Sequence, residues 1–493
     1  MKKNNFFKNA VLLTFINMTV EIMQIYMGIH ISKVLGSEGT GIFQLTQSIF
    51  GLVSTIGLGG YHIAVTRLSA KYSREGGVIS AEKSVKKTML VSLITTVTAC
   101  IAIFVFGDNI CLKFIGIEKM SLPLKIMALT LPLSGIIICF NSYCIYFDKI
   151  KTLGTVSILT QIIDMFFTFK LIKIFNFSVA GKCIAISFAA LISTFASFLM
   201  GMMFFLIPMK KRSKTIIKPY FSEIVSIILP IALSGSLRSF LNMLQNMLIP
   251  WGLVKFGLNK TEAMQNYGII KGMAIPVIVF PAALMSSFLT LLIPEISKAY
   301  ENSDKDKIGR AVVKSSSVTI IFSIILTAIY IIFGNEMGVL IYNSEKVGKY
   351  IRILAPLTTF MFLDDVVDSA LKGINKQMKS LQINIVESAS RVFLLFILIP
   401  RFGIVGYVFV IFFGNILNFA MSYISLEKAS PVYMDFKNWI IKPAVVAISV
   451  SFISKFIFYH LKFGISSFSL VILFSIALYM FICINLGCFK GVF

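Results

Sequence analysis

The sequence predicts an all-α integral membrane protein of about fourteen transmembrane helices. Two parallel, pseudo-symmetric six-helix lobes are expected, followed by two C-terminal helices. Three observations predict this. Apolar runs of spanning length recur along all 493 residues, of which 57% are hydrophobic and only 14% charged. Lys and Arg gather in every second connection. Short landmarks in the first half recur in the second at a nearly constant offset. The apolar runs are unbroken, whereas strands of a membrane barrel alternate in polarity, so helices and not a barrel are expected.

In chain order the helices fall at roughly 8–30, 40–66, 88–106, 122–146, 154–174, 182–207, 222–249, 266–293, 314–334, 350–371, 379–399, 404–426, 440–460 and 467–487, with ends uncertain by a few residues. The N-terminal MKKNNFFKNAVLLTF resembles a secretory leader, but its apolar run carries Glu21 and continues to about Ile31 without a small-residue cleavage site, so it reads as the first span. The stretch Leu35–Gly77 opens on Gly36, Gly39 and Gly41, crosses as an apolar helix and closes on Arg67, Lys71 and Arg74, read as a basic loop.

The basic residues orient the chain. The even connections hold Arg67, Lys71, Arg74, Lys83, Lys86 and Lys87; Lys210, Lys211, Arg212, Lys214 and Lys218; Lys298, Lys305, Lys307, Arg310 and Lys314; Lys372, Lys376 and Lys379; and Lys428, Lys437 and Lys442. The odd ones hold one or two each: Lys33, Lys113 with Lys119, Lys255 with Lys260, Arg401 and Lys462. Cytoplasmic loops collect Lys and Arg, so both termini are expected inside. The same rule accounts for the net charge of +24 without nucleic acid as a partner.

The repeat is read from four landmarks. TRLSAKYSREG (66–76) parallels PEISKAYENSD (294–304), and Ala81–Gly116 parallels Asp306–Ser344. LPLSG (131–135) parallels APLTT (355–359), and NFSVAG (176–181) parallels RFGIVG (401–406). The offsets stay between 224 (131 to 355) and 228 (66 to 294). Equivalent positions are an even number of helices apart, so the halves share one orientation. The expected domains are an N-terminal lobe 1–207, a basic cytoplasmic linker 208–221, a C-terminal lobe 222–426, and two extra helices in 427–493.

Polar groups at membrane depth are expensive and mark functional candidates. The first helix carries Glu21 and Gln24 at i, i+3. The seventh carries Arg238, Asn242 and Gln245 at i, i+4, i+7. These helices are equivalent in the repeat, so Glu21 and Arg238 are candidates to face one another, as substrate ligands or as a structural ion pair. The fifth helix carries Gln161 and Asp164, and its repeat mate, the eleventh, carries Glu387 and Arg391 at i, i+4, a spacing that favours an ion pair within the helix. The tenth carries Asp364, Asp365 and Asp368 with Lys372 one turn on, read either as proton or sodium coupling or as a hydrated vestibule. Lys271, early in the eighth helix, suits an anionic head group or snorkels to the interface.

The seven cysteines, Cys100, Cys111, Cys139, Cys144, Cys183, Cys483 and Cys488, are odd in number, form no CxxC and lie mostly within apolar runs, so they read as small core hydrophobes. His30, His62 and His460 are far apart, and no metal-binding spacing occurs. The sequence has no GxSxG, no P-loop and no GxGxxG after a strand. A non-enzyme without cofactor is expected, with a coupling proton or sodium ion at most. Transport without an ATP site draws on an ion gradient, the membrane potential or downstream consumption of the substrate.

LGSEGTGIFQL (35–45), GGYHIAVTRLSAKY (59–72) and PAALMSSFLTLLIPEISKAY (281–300) resemble the stage V sporulation protein B group. That group is part of the multidrug/oligosaccharidyl-lipid/polysaccharide (MOP) exporter superfamily. The resemblance covers nearly the whole chain. It implies two six-helix bundles around a cationic cavity in the bacterial cytoplasmic membrane. It also implies flipping of undecaprenyl-pyrophosphate-linked saccharides from the inner to the outer leaflet, for spore cortex peptidoglycan in that group. The implied partners are the lipid-linked oligosaccharide, membrane lipids and cell-wall synthases; the oligomeric state is not legible. Arg67 matches the group's basic residue at the cytoplasmic end of the second helix, where it would attract a pyrophosphate.

The chain departs from related lipid II flippases, which place several arginines in the first two helices. Its first helix has none and carries Glu21 instead. Its intramembrane acids, Glu21, Asp164, Asp364, Asp365, Asp368 and Glu387, outnumber Arg238, Lys271 and Arg391. A cation-coupled drug antiporter of the same superfamily is therefore the second expectation. A membrane enzyme of envelope synthesis is the third, and a scaffold for a synthase remains open beside them.

Overall fold

A computed structural model describes residues 3–116, 120–175, 178–205, 220–428, 437–460 and 465–488. All but two residues of the expected basic linker 208–221, and with them Lys210, Lys211, Arg212, Lys214 and Lys218, lie outside the described residues.

The regular elements among the described residues are all helical. In chain order they are α1 (Lys3–Leu58), α2 (Tyr61–Ile110), α3 (Ser121–Ala128), α4 (Thr130–Tyr146), α5 (Ile150–Ile174), α6 (Val179–Phe205), α7 (Phe221–Lys255), α8 (Lys260–Tyr267), α9 (Ile275–Val279) and α10 (Ala282–Glu301). There follow α11 (Lys305–Tyr342), α12 (Glu345–Leu354), α13 (Leu357–Gly373), α14 (Gln377–Glu427), α15 (Lys442–His460) and α16 (Ile465–Asn485). Wider π-helical turns join α2 to the following bend, α8 to α9, and lead into α15.

The three longest helices are hairpins closed by one glycine each. Gly36 (φ 70°), Gly77 (φ 74°) and Gly403 (φ 57°) interrupt α1, α2 and α14 in the left-handed region, which costs glycine nothing. The reversals show in side-chain contacts that a straight helix forbids. Thr40 Oγ1 donates to Ser32 O at 3.2 Å across Gly36. Tyr61 and Thr95 share a hydroxyl hydrogen bond of 2.8 Å across Gly77. Val11–Lys113 therefore holds the first three expected spans, and Gln377–Glu427 the eleventh and twelfth. The expected eighth and tenth helices are present in segments, α8–α10 and α12–α13. The chain is an all-α, multi-pass membrane protein, as expected.

Two details of the opening stretch change. The second expected helix breaks at Gly59–Gly60, where Gly60 takes φ 85° and Ile228 of α7 lies too close for any side chain. The stretch expected to close as a basic loop is helical: Arg67, Lys71 and Arg74 extend α2 to Gly76, one residue short of its turn. A run of charges does not break a helix, because Arg and Lys are good helix formers.

The described chain packs as two units. One comprises Met1–Met27 and Ile42–Met247, the other Gly28–Gly41 and Leu248–Phe493. The core of the first joins Tyr61, Leu68 and Tyr72 of α2 to Phe140 and Tyr143 of α4 and to Ile224 and Ile228 of α7. In the second, Ile296 of α10, Val312 of α11, Val366 and Ala370 of α13 and Leu426 of α14 form one cluster. All seven cysteines are free and buried, as their apolar settings predict.

Candidate functional site

The polar residues read from the sequence separate into one group per unit. In the first unit, α1 places Glu21 half-buried and Gln24 exposed. On α7, Arg238 and Asn242 are exposed and Gln245 half-buried, one helical face of polar groups among apolar neighbours. Arg67 is exposed on the C-terminal half of the second span. The sequence assigns Glu21 and Arg238 to different lobes, yet both belong to this unit, because α7 through Met247 packs within it. Thr55 and Ser239 share a hydrogen bond of 2.9 Å, and Gly59 closes on Ala232. At the end of this contact Glu223 binds Lys71 Nζ at 2.7 Å and accepts a hydrogen bond from Tyr72 Oη at 2.5 Å.

Asp164 of α5 is half-buried and accepts a hydrogen bond from Ser193 Oγ of α6 at 3.2 Å. Its neighbour Gln161 is buried and reaches Met27 Sδ at 3.9 Å. His62 was outside the sequence-derived site. It follows the Gly59–Gly60 break and meets Ser142 Oγ through Nδ1 at 3.0 Å. A lone histidine in an apolar stretch gives no pattern to detect; only the break beside it, Gly59–Gly60, was visible.

The second unit gathers the remaining candidates into one polar network inside the helices. Glu387 and Arg391 of α14 form the expected i, i+4 ion pair, with Glu387 buried. Gly414, on the returning arm of the hairpin, lies directly against this pair, where a Cβ would overlap Arg391 Nε. Asp364 of α13 accepts a hydrogen bond from Asn418 Nδ2 at 2.6 Å through Oδ2. Its Oδ1 and Asn418 Oδ1 are buried without a hydrogen-bond partner. Asp364 lies within electrostatic reach of Asp365, Asp368, Glu387 and Arg391.

The three acids of α13 have different fates. Asp368 is bound to Lys372 at 2.6 Å and to the Ser380 hydroxyl, and Asp365 is exposed. Lys271 sits in the π-helical turn Gly268–Ala274, a wide turn often found at functional sites, and lies within electrostatic reach of Arg391. Tyr407 neighbours Arg391 in the same sense, and Tyr267 neighbours Tyr407. Tyr267 is fully buried, and its hydroxyl has no hydrogen-bond partner.

The network thus holds cations of fixed position beside carboxylates, with uncommitted oxygens on Asp364 and Asn418. Such a set can exchange a proton or hold a small monovalent cation through oxygen donors. Among the described residues no three His, Cys, Asp or Glu side chains converge as a metal site.

A family model described as polysaccharide biosynthesis protein matches residues 6–299. The chain belongs to that family. It is thereby a member of the MOP superfamily of membrane transporters and flippases. A second model, MatE, matches residues 230–397, the stretch that carries Arg238, Lys271, Asp364 and the Glu387–Arg391 pair. Stage V sporulation protein B of Bacillus subtilis (strain 168) is 21% identical over 488 residues, covering 94% of this chain and 92% of its own. A solved structure of the lipid II flippase MurJ in an inward closed conformation aligns with TM-score 0.69 at 14% identity, covering 98% of this chain and 99% of that one. An inward-facing multidrug resistance MATE family transporter aligns with TM-score 0.60 at 17% identity, covering 85% of this chain and 98% of the other. These structures share the fold of this family member.

Proposed function

We propose that this protein flips an undecaprenyl-pyrophosphate-linked saccharide, a peptidoglycan or polysaccharide precursor, from the inner to the outer leaflet by alternating access. The supporting observation is the family match over residues 6–299, together with the fold shared with the lipid II flippase MurJ. Arg238 and Arg67, exposed in the first unit, supply the charge that a pyrophosphate requires, and Asn242 and Gln245 extend the polar face toward sugar hydroxyls. Lys271 is the corresponding cation of the second unit. The multi-pass topology has both termini in the cytoplasm, following the alternation of basic connections. The protein acts as a transporter and not as an enzyme, beside the synthases that consume its product. In the sporulation branch that product is spore cortex precursor.

The test is flipping of a fluorescent lipid-linked saccharide in proteoliposomes. Arg238→Ala is expected to lower the rate at least about tenfold, and Arg67→Ala by less, because a guiding charge acts on encounter. Unchanged rates in both variants overturn the assignment.

A second reading, cation-coupled antiport of organic cations, has its own support in the acids of the second unit and the MatE match across them. Cation-dependent dye efflux abolished by Asp364→Asn, with no flipping activity, would establish it instead.

A further inference from the structure

Outside the network described above, one face of α12 is positively charged and exposed. The preceding helix, α11, has 38 residues, about 57 Å of axis, which exceeds a bilayer with its head groups, so its ends reach the interfaces. The chain turns back at Asn343, in the left-handed region, and α12 runs beside the end of α11. Two glycine contacts fix its position. Gly348 lies backbone to backbone against Gly338, and the stem of Arg352 fills the space of a side chain at Gly334. Val347, Gly348, Ile351 and Leu354 of α12 are buried. On the opposite face Lys346, Lys349 and Arg352 recur every three residues, and all three are exposed. Among the described residues these cations form no ion pair. Glu345 is the one acid of α12 and leaves the helix with a net charge of +2.

We infer that this face holds the phosphate groups of anionic phospholipids at the membrane interface, in the outer leaflet under the topology proposed above. From Lys346 to Arg352 the helix advances about 9 Å, comparable to the depth of a head-group layer. Lys349 and Arg352 are neighbours on the helix surface, so both reach one phosphate, and the guanidinium fork matches two of its oxygens. A net positive helix favours a net negative head group. In phosphatidylcholine and phosphatidylethanolamine the lipid's own ammonium cancels the phosphate, so neither gains as much. Ile353, 39% exposed, interrupts the cations on the same face and selects a lipid over a soluble polyanion, because acyl chains cover it while the Lys and Arg stems carry their charges to the interface. A head group bound there fastens the outer end of the segmented helix α12–α13, whose inner part carries Asp364.

The test is photo-crosslinking of the full chain in phosphatidylcholine nanodiscs. These carry a trace of phosphatidylglycerol or phosphatidylcholine with a photoreactive head group, and the crosslinks are located by peptide mass spectrometry. Residues 345–354 are expected to be labelled at least about fivefold more by the phosphatidylglycerol probe. Lys349→Gln with Arg352→Gln is expected to reduce this labelling to the level of the phosphatidylcholine probe, while labelling of the basic stretch 298–314 stays as in the parent. Lys346→Glu with Lys349→Glu leaves the packed stem of Arg352 in place. It is expected to give the same loss at an unchanged melting temperature, which separates loss of binding from loss of folding. Equal labelling by the two probes, or labelling that survives both double substitutions, overturns the inference. Unlabelled undecaprenyl pyrophosphate that displaces the probe from residues 345–354 at a lower mole fraction than unlabelled phosphatidylglycerol overturns the phospholipid as occupant and assigns the face to a pyrophosphate lipid.

Discussion

Gly41 and Gly268 pack backbone against backbone. The amide nitrogen of Gly41 lies 2.7 Å from the position that a Gly268 Cβ would take, and that Cβ would also overlap the carbonyl oxygen of Ser37. The two glycines are 227 residues apart, a separation inside the 224–228 offset expected of a repeat from the sequence. Ser32 Oγ, donating to Gly272 O at 2.9 Å, fastens the same contact.

No side chain fits at this crossing, so Gly41→Ala and Gly268→Ala are each expected to destabilise by about 1–3 kcal/mol, the usual cost of overpacking. Gly51 lies within α1 with nothing within 4 Å of its would-be Cβ, and Gly51→Ala is expected to leave stability unchanged or slightly raised. Thermal unfolding of the three purified variants checks this. Equal melting temperatures would show that the segment Gly28–Gly41 does not hold against α8.

The buried Glu387–Arg391 pair predicts strong non-additivity. Glu387→Ala takes from Arg391 its bonded carboxylate and leaves it the Asp364 charge nearby, and a loss of about 3 kcal/mol is expected. Arg391→Met alone strands the carboxylate at a similar cost. The double variant Glu387→Leu with Arg391→Met removes both charges and is expected to recover most of the loss. A double-mutant cycle in detergent unfolding reads the coupling directly. Additive losses would mean that the two side chains are solvated separately.

The turn between α10 and α11 carries a pH-dependent cap. Asp304 accepts the backbone N–H of Lys307 at 2.9 Å, and that bond, with the nearby Lys307 charge, holds its carboxyl below the ordinary value of about 3.9. A depressed carboxyl contributes stability that is present above its unfolded pKa and lost as pH falls through the folded one. Hydrogen exchange at Lys307 is therefore expected to stay protected at neutral pH and to rise only below about pH 4. Asp304→Asn keeps a capping oxygen and is expected to flatten this dependence.

Hydropathy made the spans legible, and the glycines made the hairpins legible in part. Gly36, Gly77 and Gly403 all fall in connections that the hydropathy placed; what it did not show is that helix runs up to the glycine on both sides of each turn. The i, i+4 spacing announced the Glu387–Arg391 pair, since both partners lie on one helix. The partners of Asp364 and of His62 were not legible. Asn418 is 54 residues from Asp364 and Ser142 is 80 residues from His62, and a single sequence carries no sign of such pairings. The grouping of α7 with the first unit was hidden for a related reason: it depends on how closely Gly59 and Gly60 approach α7, which hydropathy does not measure.

The acids of α13 predict a graded response that separates coupling from packing. Asp368 is committed to Lys372, 48% exposed, and such a pair contributes about 1 kcal/mol or less; Asp368→Asn is expected to leave transport largely intact. Asp365→Asn, at an exposed site, is expected to do the same. Asp364 differs, because it joins Asn418 to the Glu387–Arg391 pair and keeps one oxygen uncommitted. Asp364→Asn preserves the side chain's shape and removes its ability to exchange a proton or balance a cation. It is expected to abolish the dependence of substrate movement on an imposed proton or sodium gradient, while the protein still folds and still binds lipid-linked saccharide. Measuring flipping with and without each gradient in the three variants decides the matter. Equal gradient dependence in parent and Asp364→Asn would place coupling elsewhere, with Asp164 on α5 as the next carboxylate to examine.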